Sequence, residues 1–343
     1  TNEIYFSNCL AAGPFASTLA GVGFSIQTGN TWVVNSTISS GLRTDLLYGI
    51  WINENAGAVW IEHNDVFNAQ YGLAINPSVS TVGEIWCTDN AWNDSMNAGI
   101  LIQPTGSATV EPIYFKGDEV SVAGADGILI GNGGGSVKSV TFNGVTVLGA
   151  QAHGIYLGPG TSNVQFNNMN VHENSLATAN TYSGLAVDAG VSNWQVNGGK
   201  FGGTANGSAT GFASQQKYGI QVVAGASDHY TIQGANCENN TTAGISDAGT
   251  GIHKSISDNL GVDTAAPATI ASAATITLPN SSAFFFLSGS TTVTTINGGW
   301  IGRRITVVAT GTLTLGGGGN IPATYTLSPN IHAILTYSGS NWY

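Results

Sequence analysis

Gly49-Ile50-Trp51-Ile52, Gly72-Leu73-Ala74-Ile75 and Gly99-Ile100-Leu101-Ile102 repeat one phrase: glycine, hydrophobic, any residue, hydrophobic. The same phrase stands at Gly23-Phe24-Ser25-Ile26, Gly127-Ile128-Leu129-Ile130, Gly154-Ile155-Tyr156-Leu157, Gly184-Leu185-Ala186-Val187, Gly219-Ile220-Gln221-Val222 and, weakened, Gly244-Ile245-Ser246-Asp247. The spacing of these glycines varies, shortest from Gly49 to Gly72 and longest from Gly184 to Gly219, around a mean of about 28 residues, a period typical of stacked repeats. A two-residue alternation inside such a period means one supersecondary unit per repeat, and such a unit buries its apolar face only by stacking on its neighbours. The sequence predicts a solenoid.

The rest of each period says which kind. A second alternating stretch follows each glycine phrase, as in Ala58-Val59-Trp60-Ile61, Glu84-Ile85-Trp86-Cys87 and Pro112-Ile113-Tyr114-Phe115, and a third, shorter piece comes after it, as in Asp65-Val66-Phe67, Ala91-Trp92 and Glu119-Val120-Ser121-Val122. Three short strands per turn, without a helical period, make a coil of three parallel sheets. Gly, Asn, Asp and Ser occupy its corners, where positive φ is needed.

These turns resemble right-handed parallel β-helix proteins, the pectate-lyase-like family that includes many phage tailspikes. The resemblance covers roughly Ile4 to Asn259, and it implies an inward side-chain ladder at one corner, to which Asn64, Asn90 and Asp118 correspond. Such a fold hosts lyases, hydrolases, epimerases and inert fibres alike. Composition agrees with it: charged residues make up 8% of the chain, against about a quarter in ordinary globular proteins, and 48 glycines supply corners.

The glycine period stops near Asp258-Asn259-Leu260-Gly261. Asp263-Thr264-Ala265-Ala266-Pro267-Ala268 reads as a linker, and longer alternating strands follow, among them Ala283-Phe284-Phe285-Phe286-Leu287 and Arg304-Ile305-Thr306-Val307-Val308. The expected organisation is a β-helix over residues 1–259, a linker over 260–274, and a small antiparallel β-sandwich over 275–343. Gly299-Trp300-Ile301-Gly302-Arg303-Arg304-Ile305-Thr306-Val307, Gly319-Asn320-Ile321 and Leu335-Thr336-Tyr337-Ser338-Gly339-Ser340-Asn341-Trp342-Tyr343 are similar to the C-terminal module of phage tailspikes and tail fibres. That resemblance implies closure of the β-helix end, assembly of three identical chains and a carbohydrate-binding or trimerisation role.

Several partner classes are excluded or disfavoured. The formal net charge is −11, with eight Lys and Arg and no basic stripe, and nucleic-acid binding needs clustered cations. No run of about twenty apolar residues is present, so no membrane insertion by a helix is expected. Three cysteines, Cys9, Cys87 and Cys237, lack any CxxC spacing; Cys87 takes the inward position of Ile61 and Phe115 and reads as a buried thiol. The six histidines fall at no ligand spacing, so neither metal nor cofactor is expected. Asp126 and His153 hold matching positions just before the first strand of neighbouring turns, a weak candidate pair. The chain opens at Thr1 inside a strand-like phrase, so an N-terminal part that attaches it to other virion tail proteins is expected to precede it.

Chemistry then belongs to the outer face. Alternation turns Val59 and Ile61 inward and Trp60, Glu62, Trp86, Tyr114 and Lys116 outward. Trp60, Trp86 and Tyr114 form an aromatic ladder that either a sugar chain or a neighbouring subunit covers. Glu62, Asp65, Asp89 and Glu119 cluster around it. Glycosidases need two carboxyl groups about 5 Å apart for retention or about 6.5 to 9.5 Å for inversion, and Asp65 and Glu119, two turns apart in one column, lie ~9.6 Å apart at the strand spacing. Glu173 and Asp188 are lesser candidates, and plain solvated acids are the alternative. The combined reading is a phage tailspike or tail fibre, located on the virion tail, that recognises a bacterial surface polysaccharide and, in its enzymatic version, depolymerises it. Glu62, Asp65, Asp89 and Glu119 would be its catalytic candidates, and Trp60, Trp86, Tyr114 and Lys116 its substrate-binding ones. A non-enzymatic adhesin and a secreted pectate-lyase-like enzyme are the alternatives.

Overall fold

The computed structural model describes residues 3–13, 21–203, 215–261, 269–279 and 283–343. All regular elements among them are strands. Three parallel sheets run the length of the coil. Sheet A has eleven strands, among them Thr31–Val34, Gly57–Glu62, Thr81–Thr88, Ile113–Lys116, Ser136–Asn143, Thr161–Asn167, Ser192–Asn197, Asp228–Gln233 and Lys254–Ser257. Sheet B has eight short strands, including Asp65–Phe67, Ala91–Asn93 and Glu119–Ser121. Sheet C holds the glycine phrases in nine, from Gly21–Ile26 to Ala243–Gly249.

Register follows the sequence period. Val33, Ile61, Cys87, Phe115, Phe142 and Phe166 stand on one another as an inward column of sheet A. The three phenylalanines stack with centroids 4.8 and 5.3 Å apart. Each fully buried aliphatic or phenyl side chain contributes about 1.5–3 kcal/mol, and the buried residues form one continuous core through the coil. The glycine that opens each sheet C phrase is required by a close approach: a Cβ on Gly72 would lie 2.6 Å from the carbonyl oxygen of Gly99 in the next turn.

The corner between sheets A and B is left-handed in turn after turn. Asn8, Asn35, His63, Asp89, Gly117, Gly144, Asn168, Gly198, Gly234 and Asp258 occupy it with φ between 48° and 69°, a region that Gly, Asn and Asp tolerate best. The next residue turns inward and builds the expected ladder. Asn64 Oδ1 accepts the Ser36 N–H (2.9 Å), Asn90 Oδ1 accepts the Asn64 N–H (2.9 Å), and Asp118 Oδ1 accepts from the Asn90 backbone and side chain (3.2 and 2.8 Å) and from Trp92 Nε1 (3.2 Å). Burial pushes the Asp118 carboxyl up to about 6. A second amide ladder, Asn174 to Gln216 to Asn240, continues the device in later turns with bonds of 2.9 and 3.0 Å.

The C-terminal part is a small all-β unit with its own core around Phe285, Leu287, Ile305, Val307 and Trp342. Its pairing is mixed, where the alternation alone leads to an antiparallel expectation. Thr269–Ala271, Phe284–Ser288 and Arg304–Ala309 pair in parallel, and His332–Thr336 closes that sheet in the antiparallel sense. Val307 lies opposite Phe285, and Leu287 opposite Ile270, with a stretch of chain between partners too long for a tight hairpin. The chain therefore goes round between strands instead of folding straight back, a choice that strand alternation does not encode. Thr269–Ala271 falls inside the stretch expected to be linker, and residues 262–268 of that stretch, Asp263 to Ala268 among them, lie outside the described residues.

The two parts meet at a charged junction. Lys254 Nζ donates to Asp247 Oδ2 (2.8 Å), whose Oδ1 accepts the Tyr230 hydroxyl (2.7 Å), and both charged side chains are buried. Lys254 faces the Trp300 ring at 5.2 Å and Arg303 lies over the same ring at 4.4 Å. Trp300 is thus contacted by two cations, one from each part.

Candidate functional site

The aromatic ladder is present and longer than expected. Tyr5, Trp32, Trp60, Trp86 and Tyr114 occupy one column of sheet A, and Trp32–Trp60, Trp60–Trp86 and Trp86–Tyr114 stack with centroids 4.3, 5.0 and 6.1 Å apart at 4°, 10° and 15°. Tyr5 and Trp32 carry a usable sequence signal, since each precedes the next aromatic of the column by one period. The rings face one another like stacked coins, so the inner tryptophans offer edges to the exterior. Beyond Tyr114 the same column turns polar, through Thr141, Gln165, Gln195 and Thr231. Lys116 is exposed in a neighbouring column between Thr88 and Asn143.

The acids around the ladder separate into three places. Glu62 is half-buried on sheet A, beside Thr88 of the next turn. Asp65 and Glu119 are exposed in one column of sheet B with Ala91 between them, and partial burial raises the Asp65 carboxyl. Asp89 sits in the left-handed corner, 3.7 Å from His63 Nε2. A corner that takes Asn or Gly in other turns accounts for an aspartate there without chemistry. Glu173 is buried beside His172 Nδ1, 3.4 Å away.

A tighter cluster stands on sheet C. There the outward column runs Trp51, Ala74, Leu101, Leu129, Tyr156, Ala186 and Gln221. Ala74, Leu101 and Ala186 are buried despite facing outward, so this face is recessed. Around Tyr156 the titratable groups converge. Its hydroxyl donates to Asp188 Oδ2 at 2.6 Å, and Asp188 Oδ1 accepts the Ala189 N–H at 2.7 Å. Desolvation, then the Asp188 carboxylate, holds the phenol protonated well above its ordinary range. Asp126 Oδ1 accepts the His153 N–H at 3.0 Å, and burial pushes that carboxyl up to about 6. His153 Nδ1 accepts the Ser183 N–H at 2.9 Å, so the remaining ring proton belongs on Nε2, and burial lowers its pKa to about 4. The imidazole packs 6.0 Å from the Tyr156 ring and edge-on to Tyr182 at 5.1 Å.

This arrangement has the elements of acid–base work: a neutral imidazole and a phenol that can donate, and a carboxyl whose proton is exchangeable near neutral pH. Asp126 and His153 are legible as neighbours from their place before the glycine phrase. Nothing in the sequence marks Tyr156 as more than a repeat residue, and its partner Asp188 lies one turn further along.

No known protein-family profile matches the chain, and no curated protein does. Among solved structures it is similar to the enzymatically active domain of tailspike protein 2 of bacteriophage CBA120, with 12% identity, a TM-score of 0.50, and coverage of 75% of this chain and 44% of that one. Similar too are the periplasmic alginate epimerase AlgG, at 15% identity, TM-score 0.40, 68% of this chain and 50% of that one, and the A-module of a mannuronan C-5 epimerase from Azotobacter vinelandii, at 17%, 0.35, 69% and 75%. The chain spans half the length or less of the first two. What the tailspike likeness and the sheets establish together is the fold: a three-sheet parallel β-helix with a small C-terminal all-β unit.

Proposed function

We propose that this chain is the glycan-binding β-helix of a phage tailspike or tail fibre, and that it cleaves a bacterial surface polysaccharide on the recessed face of sheet C. The observation that carries the reading is the convergence of Asp126, His153, Tyr156 and Asp188, three of them with shifted protonation, on one half-buried surface. Breaking a glycosidic bond requires one group to give the leaving oxygen a proton and another to take one from water or from the sugar. Tyr156 supplies the first role and Asp126 the second, with Asp188 orienting the phenol and the His153 Nε2–H donating a hydrogen bond to the bound sugar. The fold shared with an enzymatically active tailspike domain supports this. In the same reading the chain assembles as a homotrimer and joins other tail proteins on the virion.

The Asp65–Ala91–Glu119 column favours a second, purely hydrolytic site. Its ~9.6 Å spacing fits inversion, about 6.5–9.5 Å, at its upper limit, and the small Ala91 side chain leaves the gap open for water. Glu62 on sheet A and Asp89 at the corner flank that column, and Trp60, Trp86, Tyr114 and Lys116 would bind the chain on the adjoining sheet.

Incubation with capsular and O-chain polysaccharides, read by mass spectrometry of released oligosaccharides, tests both. Tyr156→Phe should lower turnover at least about a hundredfold with binding retained. Full activity in Tyr156→Phe and loss in Glu119→Gln would move the chemistry to sheet B. Tight binding without any release would make the protein an adhesin.

A further inference from the structure

Among the described residues, one cluster of metal-ligating side chains lies outside both sites. Asp228 and His229 open the sheet A strand Asp228–Gln233, and His253 immediately precedes the strand of the next turn, Lys254–Ser257. The two histidines are separated by one turn of the coil, which is why no ligand spacing shows in the sequence. Asp228 Oδ2 lies 3.0 Å from His253 Nδ1 and 3.3 Å from His229 Nδ1. The donor atoms of all three residues fall within 4.8 Å of one another.

We infer that Asp228, His229 and His253 form a binding site for a divalent transition metal of the zinc class. Ligands about 2.0–2.1 Å from a tetrahedral ion stand a little over 3 Å from each other, which is the separation of Asp228 Oδ2 from each histidine Nδ1, while the two histidines' ligand atoms lie within 4.8 Å of each other. Two imidazoles and one carboxylate suit zinc, copper or nickel, and are poorly matched to calcium or magnesium, which take oxygen ligands. The carboxylate is already oriented: its other oxygen, Oδ1, accepts the His253 N–H at 2.8 Å, the supporting bond that metal-ligating carboxylates usually have. His229 is fixed by a left-handed backbone, φ 54°. The two rings lie stacked, 4.3 Å apart at 18°, and in-plane lone pairs of parallel rings do not converge. One imidazole therefore swings about its χ2 on binding, and both are about half exposed and have room to do so.

Three protein ligands leave a coordination position open. His229 also lines a shallow cavity of about 270 Å³ with Asn163, Gln165, Asn193, Gln195 and Thr231. A hydroxyl-bearing ligand could span the open metal position and these amides, so the ion would serve as an anchor at the polar end of the sheet A column.

Isothermal titration of the chelator-stripped full chain with Zn²⁺, and the visible spectrum of the Co²⁺-substituted protein, test the site directly. One equivalent should bind with micromolar or better affinity, and Co²⁺ should give the intense bands of a four-coordinate ion. His253→Gln and His229→Asn, the latter chosen because asparagine tolerates the left-handed backbone, should each weaken Zn²⁺ at least about tenfold, with circular dichroism unchanged. Absence of binding at millimolar Zn²⁺, undiminished binding in the double variant, or Ca²⁺ binding as tight as Zn²⁺ would overturn the assignment.

Discussion

Asp118 shows how a single ladder position sets a pH dependence. It takes the place of an asparagine in the corner ladder, but it is buried with only neutral donors, the Asn90 and Trp92 groups and the Lys116 N–H, around it. Its carboxyl rises from an ordinary 3.8 to about 6. The native state therefore binds the proton more tightly than the unfolded chain, and stability falls as pH climbs from about 4 to about 6, by ~3 kcal/mol in total. Asp118→Asn should remove that slope and raise the melting temperature at pH 8, since an amide can repeat the bonds of Asn64 and Asn90. Melting curves of both proteins from pH 4 to 8 check this, and a lower melting temperature for the variant at pH 8 would mean that the charge is compensated in some other way. The phenol of Tyr156 illustrates the opposite use of burial, where a neighbouring carboxylate keeps a proton in place for use.

At the scale of the strand, the sheet A column divides into an aromatic half and an amide half, and the division has energetic consequences. Trp86 stacks on two neighbours and Tyr114 on one. Aromatic pairs add about 0.5–1.5 kcal/mol each beyond burial, so Trp86→Ala should cost about 1–3 kcal/mol more than the loss of its area and should exceed Tyr114→Ala. Denaturant unfolding at protein concentrations low enough to keep chains separate measures this, and light scattering in parallel reports whether the ladder is also a trimer contact. Equal costs for the two variants would show that the stack is incidental. Much of this element is legible in the sequence, because glycine phrases fix the register and alternation then dictates which residues face out. The inward Val33–Ile61–Cys87–Phe115 column follows from that rule, whereas the Asn64–Asn90–Asp118 ladder is implied by the resemblance to parallel β-helix proteins. What the rule omits is the third dimension of the face. Ala74 and Leu101 alternate outward like Trp60, yet they are buried, and alternation alone does not foretell the recess around Tyr156. Pairings such as Tyr156 with Asp188 or His229 with His253 depend on turn length, which is not constant along the chain: the turn from Gly184 to Gly219 is half as long again as the one from Gly49 to Gly72.

For the whole molecule, the junction at Trp300 joins the coil to the C-terminal unit and is expected to couple their unfolding. Asp247 is buried with Lys254 and the Tyr230 hydroxyl, and removal of one partner from a buried ion pair typically costs about 3–5 kcal/mol because the other charge is stranded. Lys254→Ala should therefore destabilise the end of the coil by about that amount and weaken the grip on Trp300. Urea unfolding followed by tryptophan fluorescence should then separate into two transitions where the parent protein shows one. A single, merely shifted transition would indicate that other contacts hold the parts together.

The parallel pairing of every turn with the next has a mechanical consequence. Among the described residues the ladder hydrogen bonds between turns run along the long axis of the coil, so a tension applied between the two ends opens them one after another from the free edge of an end turn, which peels before the turn behind it. Pulled in an optical trap, the coil should yield in a regular sawtooth, each tooth releasing one period of about 28 residues, or on the order of 90 Å of extended chain. Such a rod lengthens under load by shedding turns in sequence, and thereby dissipates a tug on its tip that a two-state domain would answer with a single rupture.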